Sequence, residues 1–191
     1  ISRTALADGW GGSMVATELS DIMFGTPSPT LADVNMGVLK EDQVNIIIHG
    51  HEPNLFESIV ESVNEPTLIQ AAKDAGAKGI NLVGMCCSGL EMFSRHGTPH
   101  AGNFMSTEAV MVTGAVDAFA VDVQCIQQGL AKVAECYGTK LFTTNPSCRI
   151  EGVDHIEFDE HQPHACTDAI VEWAIARFKN RSVKIEIPHH K

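Results

Sequence analysis

Val44-Asn45-Ile46-Ile47-Ile48-His49-Gly50-His51-Glu52-Pro53 joins a β-rich run to a helix start. Its first five residues form a β-rich run, the first clear strand of the chain. Glu52-Pro53-Asn54 then opens a segment in which Leu55, Ile59 and Val63 recur every four residues, along one stripe of a helix that stops near Asn64. A second helix starts at Pro66, where a missing N–H costs nothing, and carries Leu68, Ile69 and Ala72 to a glycine stop at Gly76. Gly79-Ile80-Asn81-Leu82-Val83-Gly84 is the next strand, and Cys86-Cys87-Ser88-Gly89 follows its end, ahead of a helix through Leu90, Met92 and Phe93.

The alternation continues outward from this core. Residues 110–112 and 118–123 read as strands, 126–136 as a helix, 140–143 and 155–158 as strands, and 165–178 as a final helix with Ile170, Val171, Trp173, Ala174 and Ile175 on a broad apolar face. Residues 183–187 fit a last edge strand. Ahead of the sheet, residues 4–23 read as helical although Gly9, Gly11 and Gly12 interrupt them, and Gly25-Thr26-Pro27-Ser28-Pro29 reads as a linker. The expected class is therefore α/β, a Rossmann-like open parallel sheet with helices on both faces, preceded by an N-terminal helical segment. Residues 1–30 would form that segment and its linker, and 31–191 the α/β domain.

Composition narrows the partners. The 191 residues are 44% hydrophobic, enough to bury a sizeable core, and Lys+Arg 13 against Asp+Glu 24 gives a formal charge of −11. With no basic run to offset it, that charge argues against nucleic acid and anionic membranes. No apolar stretch approaches the roughly 20 residues that cross a bilayer. The start, Ile1-Ser2-Arg3-Thr4, has neither an initiator Met nor a signal-type core, so the chain is expected to be soluble, cytoplasmic and part of something longer. Six cysteines in a chain with a good core suit reduced thiols better than a disulfide framework.

Ligands of open parallel sheets bind outside the carboxyl ends of the strands. His49-Gly50-His51 follows the first strand, Cys86-Cys87 the second, and Cys125 the strand at 118–123, which would bring an imidazole and two thiolates to one rim. Such donors suit iron, nickel or zinc, whereas calcium and magnesium prefer oxygen. Their wide dispersal is unlike a zinc finger. Taken singly each has a plainer reading, since a buried cysteine is commonly a small core residue and a histidine after a strand a surface or capping one. Gly50 favours His51 by letting the next side chain turn across the strand end. A nucleophilic Cys86 or Cys87 paired with a distant histidine is a competing chemistry. A dinucleotide site is disfavoured, because Gly-x-Gly-x-x-Gly is absent after the first strand and Asp8-Gly9-Trp10-Gly11-Gly12-Ser13 has no strand before it. His161, His164 and the His189-His190 tail read as solvated residues.

Three stretches, 44–53, Gly79-Ile-Asn-Leu-Val-Gly-Met-Cys-Cys-Ser-Gly89 and Ala120-Val-Asp-Val-Gln-Cys-Ile126, closely resemble the anaerobic nickel–iron–sulfur carbon monoxide dehydrogenases. The likeness extends to Asp8-Gly-Trp-Gly-Gly-Ser13, Gly102-Asn-Phe104 and His155-Ile-Glu-Phe-Asp-Glu-His161, in the order of that family's middle, Rossmann-like domain. The resemblance implies interconversion of CO and water with CO2, two protons and two electrons at a Ni-Fe-S cluster. It implies that His51 and Cys87 bind the iron outside the cubane-like portion, that Cys125 binds an iron of that portion, and that Asp8 is an acid beside the substrate site. Cys87 is preferred to Cys86 because its separation from Cys125 fits the family pattern better.

The family's other active-site cysteines, and the segments binding its additional 4Fe-4S clusters, lie outside this stretch. The chain alone is accordingly expected to be inactive. By the same resemblance the parent enzyme is homodimeric and passes electrons to an acceptor protein. Hybrid-cluster proteins, which reduce hydroxylamine with the same architecture, are the nearest alternative. A metal-free α/β scaffold is the alternative of another class.

Overall fold

The strand β1 (Val44–Gly50) is buried along its whole length. Its side chains alternate between two apolar clusters. Ile46 and Ile48 join Leu55, Phe56 and Ile59 of α2 (Pro53–Val63) and Ile170, Val171 and Ala174 of α7 (Pro163–Lys179). Ile47 turns the other way, to Val110 and Met111 of α5 (Thr107–Val112) and Leu130 and Ala134 of α6 (Leu130–Tyr137). Each isoleucine buried in this way stabilises the fold by about 1.5–3 kcal/mol relative to exposure.

The computed structural model describes residues 1–124 and 127–188. Among them β2 (Ile80–Met85), β3 (His100–Gly102), β4 (Val116–Val121), β5 (Lys140–Thr143) and β6 (Asp154–His155) join β1 in one six-stranded sheet. The order is β3-β2-β1-β4-β5-β6, and every neighbouring pair is parallel. This is the doubly wound arrangement, in which the order reverses between β1 and β4 and leaves a crevice at their carboxyl ends. The α3 helix (Pro66–Asp74) contributes Leu68 and Ala72 to the α2/α7 face, and α4 (Cys86–His96) follows β2 directly. Gly84 and Gly89 let α4 settle backbone-to-backbone on β2, since a Cβ on Gly84 would collide with the Cα of Gly89.

The expected class, with helices on both faces and an N-terminal helix, is the observed one. Several elements differ in detail. Residues 110–112 are helical, because Val110 and Met111 are buried on one side of α5, and a three-residue apolar run carries no period to separate a short helix from a strand. The edge strand β3 is not visible in the apolar pattern, since His100-Ala101-Gly102 has little β propensity and pairs through its backbone beside β2. The strand expected at 118–123 runs over Val116–Val121, so Asp122 and Val123 belong to the loop. The helix expected from Ile126 is described from Leu130, and Ile126 itself lies outside the described residues. The strand expected at 155–158 is confined to Asp154–His155.

Residues 183–187 form no strand; Ile185 and Ile187 pack on the α5/α6 cluster, and the Glu186 N–H donates to the Thr113 carbonyl at 2.8 Å. The glycines near the start do not break α1 (Ser2–Phe24), which is continuous and buries none of its residues. Asp21 and the Gly25 carbonyl, at its end, accept from Arg95 of α4 at 3.2 and 2.9 Å. Among the described residues no helix is long and apolar enough to cross a membrane. His189 and His190 lie outside the described residues.

A polar knot locks the opposite, amino end of the sheet. The Arg181 guanidinium donates to both oxygens of buried Asp117, at 2.8 and 2.6 Å, and to the carbonyls of Glu41, Gln43 and Ala115. Burial pushes the Asp117 carboxyl above its usual range, and Arg181 pulls against that shift. Arg181→Ala strands the carboxylate and should cost about 3–5 kcal/mol in urea denaturation. At the α7 face, burial pushes the Cys166 thiol up to about 12. Unfolded chains lose this proton near pH 9, so the group stabilises the fold below that and ceases to as pH rises towards 12. In the folded chain at pH 8.5, iodoacetamide should label exposed Cys136 and leave Cys166 unmodified, as read by mass spectrometry.

Candidate metal centre

Three strand ends meet at the crevice between β1 and β4. After β1 the chain passes Gly50, whose φ of 142° lies in the region glycine favours, and delivers His51 to the start of α2. After β2 it turns at Cys86, also at positive φ (54°), and enters α4 with Cys87 and Ser88 in the first turn. After β4 it reaches Asp122 and Val123.

The Asp122 carboxylate joins these segments. One oxygen accepts the His51 N–H at 2.5 Å and the Val123 N–H; the other accepts the Ser88 hydroxyl at 3.0 Å. The Glu52 N–H is close enough to favour the charged form of this carboxylate. Burial pushes its pKa above the ordinary aspartate value, and these donors draw it back down. Glu52, close by, is raised by burial and then by the charge of Asp122.

His51 and Cys87 line one cleft of about 310 Å³, walled also by Pro53, Phe56 and, from α1, Ser20 and Asp21. His51 is half-buried, and its Nδ1 is a buried atom without a hydrogen-bond partner among the described residues; Cys87 is exposed. An imidazole and a thiol on one cleft, with a ring nitrogen that no described residue satisfies, fit a metal of the iron, nickel or zinc kind.

Cys86 and His49 form a separate pair. The Sγ of Cys86 lies 3.1 Å from Nε2 of His49, whose ring meets Phe119 edge-on at a centroid distance of 5.7 Å. Burial, and then the proximity of His51, lowers the His49 pKa to about 4, so this imidazole is neutral at pH 7. Cys86 faces a second cleft, of about 470 Å³, together with His100, whose Nε2 stands 3.1 Å from the Cys86 carbonyl oxygen.

Of the residues singled out from sequence, His51 and Cys87 therefore share a cleft. Cys125 lies outside the described residues. Asp8 is exposed on α1, about 12 Å of helix before Ala16, where α1 reaches the cleft. Among the described residues, no three His, Cys, Asp or Glu side chains gather closely enough to hold a metal ion by themselves. Sequence reading passed over Asp122 and Ser88. The available signal was an acid within the apolar run 118–123, where an unpaired carboxylate has no ordinary place.

The sheet order defines a doubly wound α/β domain, with an imidazole and a thiol on one cleft at the carboxyl ends of its strands. The chain matches the Prismane/CO dehydrogenase family over residues 1–188 and belongs to that family. It is 50% identical over 190 residues to carbon monoxide dehydrogenase 1 of Methanosarcina mazei, covering 99% of this chain and 30% of that protein. It is 49% identical over 191 residues to carbon monoxide dehydrogenase 1 of Carboxydothermus hydrogenoformans, with coverage of 99% and 30%. The as-isolated, nickel-free crystal structure of the carbon monoxide dehydrogenase from Thermococcus sp. AM4 matches with a TM-score of 0.93 at 50% identity, over 97% of this chain and 30% of that one. The chain thus spans about 30% of the length of these relatives.

The geometry makes Gly50 critical, because a Cβ there would overlap the Asp122 carboxylate and the φ of 142° would be strained. Gly50→Ala should destabilise the fold by more than about 1 kcal/mol in chemical denaturation and displace the His51 backbone.

Proposed function

We propose that this chain supplies His51, Cys87 and Cys125 to the Ni-Fe-S cluster of a carbon monoxide dehydrogenase. The observation that carries the reading is the cleft between α1, α2 and α4 that His51 and Cys87 both line. The family and the names of the relatives support it, and they favour it over the hybrid-cluster and metal-free alternatives. When bound, the cluster supplies the two-electron interconversion of CO and water with CO2 and two protons.

The work of this chain's residues is to bind and orient. Nδ1 of His51 is buried and has no hydrogen-bond partner among the described residues, which leaves that nitrogen available to bind a metal. Cys87 offers its sulfur from the first turn of α4. Phe56 and Pro53 give the cleft an apolar wall that limits access of water. Asp8 is proposed as an acid beside the substrate site of the complete enzyme. The same reading places the parent protein in the cytoplasm of an anaerobe, as a homodimer with further 4Fe-4S clusters that hand electrons to an acceptor protein.

Metal analysis and CO-dependent viologen reduction test this directly. The 191-residue chain alone should show no turnover, and robust turnover would defeat the reading that the cluster needs further segments. In the full-length protein, His51→Ala and Cys87→Ala should each lower nickel and iron content and abolish viologen reduction.

A further inference from the structure

Asp122 is fully buried, yet among the described residues no lysine, arginine or histidine side chain donates to its carboxylate. Its donors among the described residues are the N–H groups of His51 and Val123 and the hydroxyl of Ser88. A buried carboxylate with no charged donor among the described residues is expensive, and it is found here at the meeting of three segments. Those segments carry the three proposed ligands. His51 donates directly, Ser88 follows Cys87 in sequence, and Val123 precedes Cys125 by two positions.

Aspartate suits this position for a chemical reason. An ionised carboxylate accepts at both oxygens and donates nowhere, so it can satisfy every one of these donors. Asparagine keeps one accepting oxygen for the His51 and Val123 amides and turns an NH2 group towards Ser88, whose hydroxyl can rotate to accept. Alanine leaves buried N–H groups unsatisfied. Gly50 completes the fit, since only the absence of a Cβ lets the β1 end approach the carboxylate.

We propose that Asp122 is a positioning residue that fixes the separation of the His51 and Cys87 donors by tying the β1 end and the α4 start to the β4 end. The inference rests on the reading of that cleft as a metal centre. Ser88 is the α4 half of the tie: its hydroxyl bonds Asp122 from within the first helical turn, next to Cys87. The His51 N–H ties in the β1 end, and the Val123 N–H holds the carboxylate within the loop after β4.

The test uses the full-length protein carrying Asp122→Ala, Asp122→Asn, Ser88→Ala and, as a ligand control, Cys87→Ala. Nickel and iron content, the electron paramagnetic resonance spectrum of the reduced cluster and the thermal unfolding midpoint are read for each. Asp122→Ala should lower metal affinity by about 10- to 100-fold, the usual effect of losing a partner that orients a ligand. Asp122→Asn should recover most of the metal content but with shifted g values. Ser88→Ala should shift the g values while leaving the unfolding midpoint near that of the parent, a pattern that a purely structural tie would not give.

Should Asp122→Ala fail to fold, Asp122→Asn and Ser88→Ala decide the matter. Spectra identical to the parent in both would overturn the inference, even if Cys87→Ala loses the cluster. A cluster signal that survives unaltered in Cys87→Ala would overturn the metal reading itself, and the inference with it.

Discussion

The parallel pairing of β1 with β4 is the constraint on which the rest depends. Ile47 lies opposite Phe119 and His49 opposite Val121, so the two strands end level with each other. From there the chain leaves in opposite senses, β1 towards α2 on one face and β4 towards α6 on the other. The divergence opens the crevice, and the level ends bring Asp122 within reach of the His51 N–H. A slip of one residue would send Ile46, Ile47 and Ile48 to the wrong clusters, which makes the register, and with it the crevice, costly to change.

The same strands carry a buried carboxylate at each end, and the contrast between them is informative. Asp117 is held by a bidentate arginine that also gathers three carbonyls, an arrangement that closes the sheet's amino end. Asp122 is held, among the described residues, by backbone amides and a hydroxyl. A guanidinium at the carboxyl end would fill the crevice and place a fixed positive charge beside the candidate donors. Amides deliver enough partial positive charge to hold the anion without occupying that volume, at the expense of a less complete neutralisation.

Much of this was legible in the chain itself. The run Val44-Asn45-Ile46-Ile47-Ile48, the Pro53 and Pro66 helix starts and the Gly79 strand each had a local signal that agreed with the final packing. The three-residue segment 110–112 did not, because its burial comes from where α5 docks, which no short window records. Edge strand β3 escaped for the related reason that backbone pairing with β2, not side-chain character, makes it a strand. At the site, His51 and Cys87 were legible as chemistry, being donor residues at strand ends. Asp122 was not, since its role is defined by donors 71 and 34 positions away.

The two doublets, His49/His51 and Cys86/Cys87, resolve into two pairs by backbone geometry alone. In an extended strand, residues two apart point to the same face, so a continued β1 would have placed both imidazoles with Phe119. The φ of 142° at Gly50 breaks that alternation and turns His51 to the α2 face, beside Phe56. Adjacent residues at a helix start cannot share a direction either, and the positive φ of Cys86 turns its sulfur inward to His49 while Cys87 opens outward. The result is one His–Cys pair buried and hydrogen-bonded, and one facing a cleft. Two unusual backbone conformations, one at each strand end, thus separate a hydrogen-bonded His–Cys pair from a cleft-lining pair built of the same residue types, and the Asp122 carboxylate bonds His51 of the second pair and Ser88 beside Cys87.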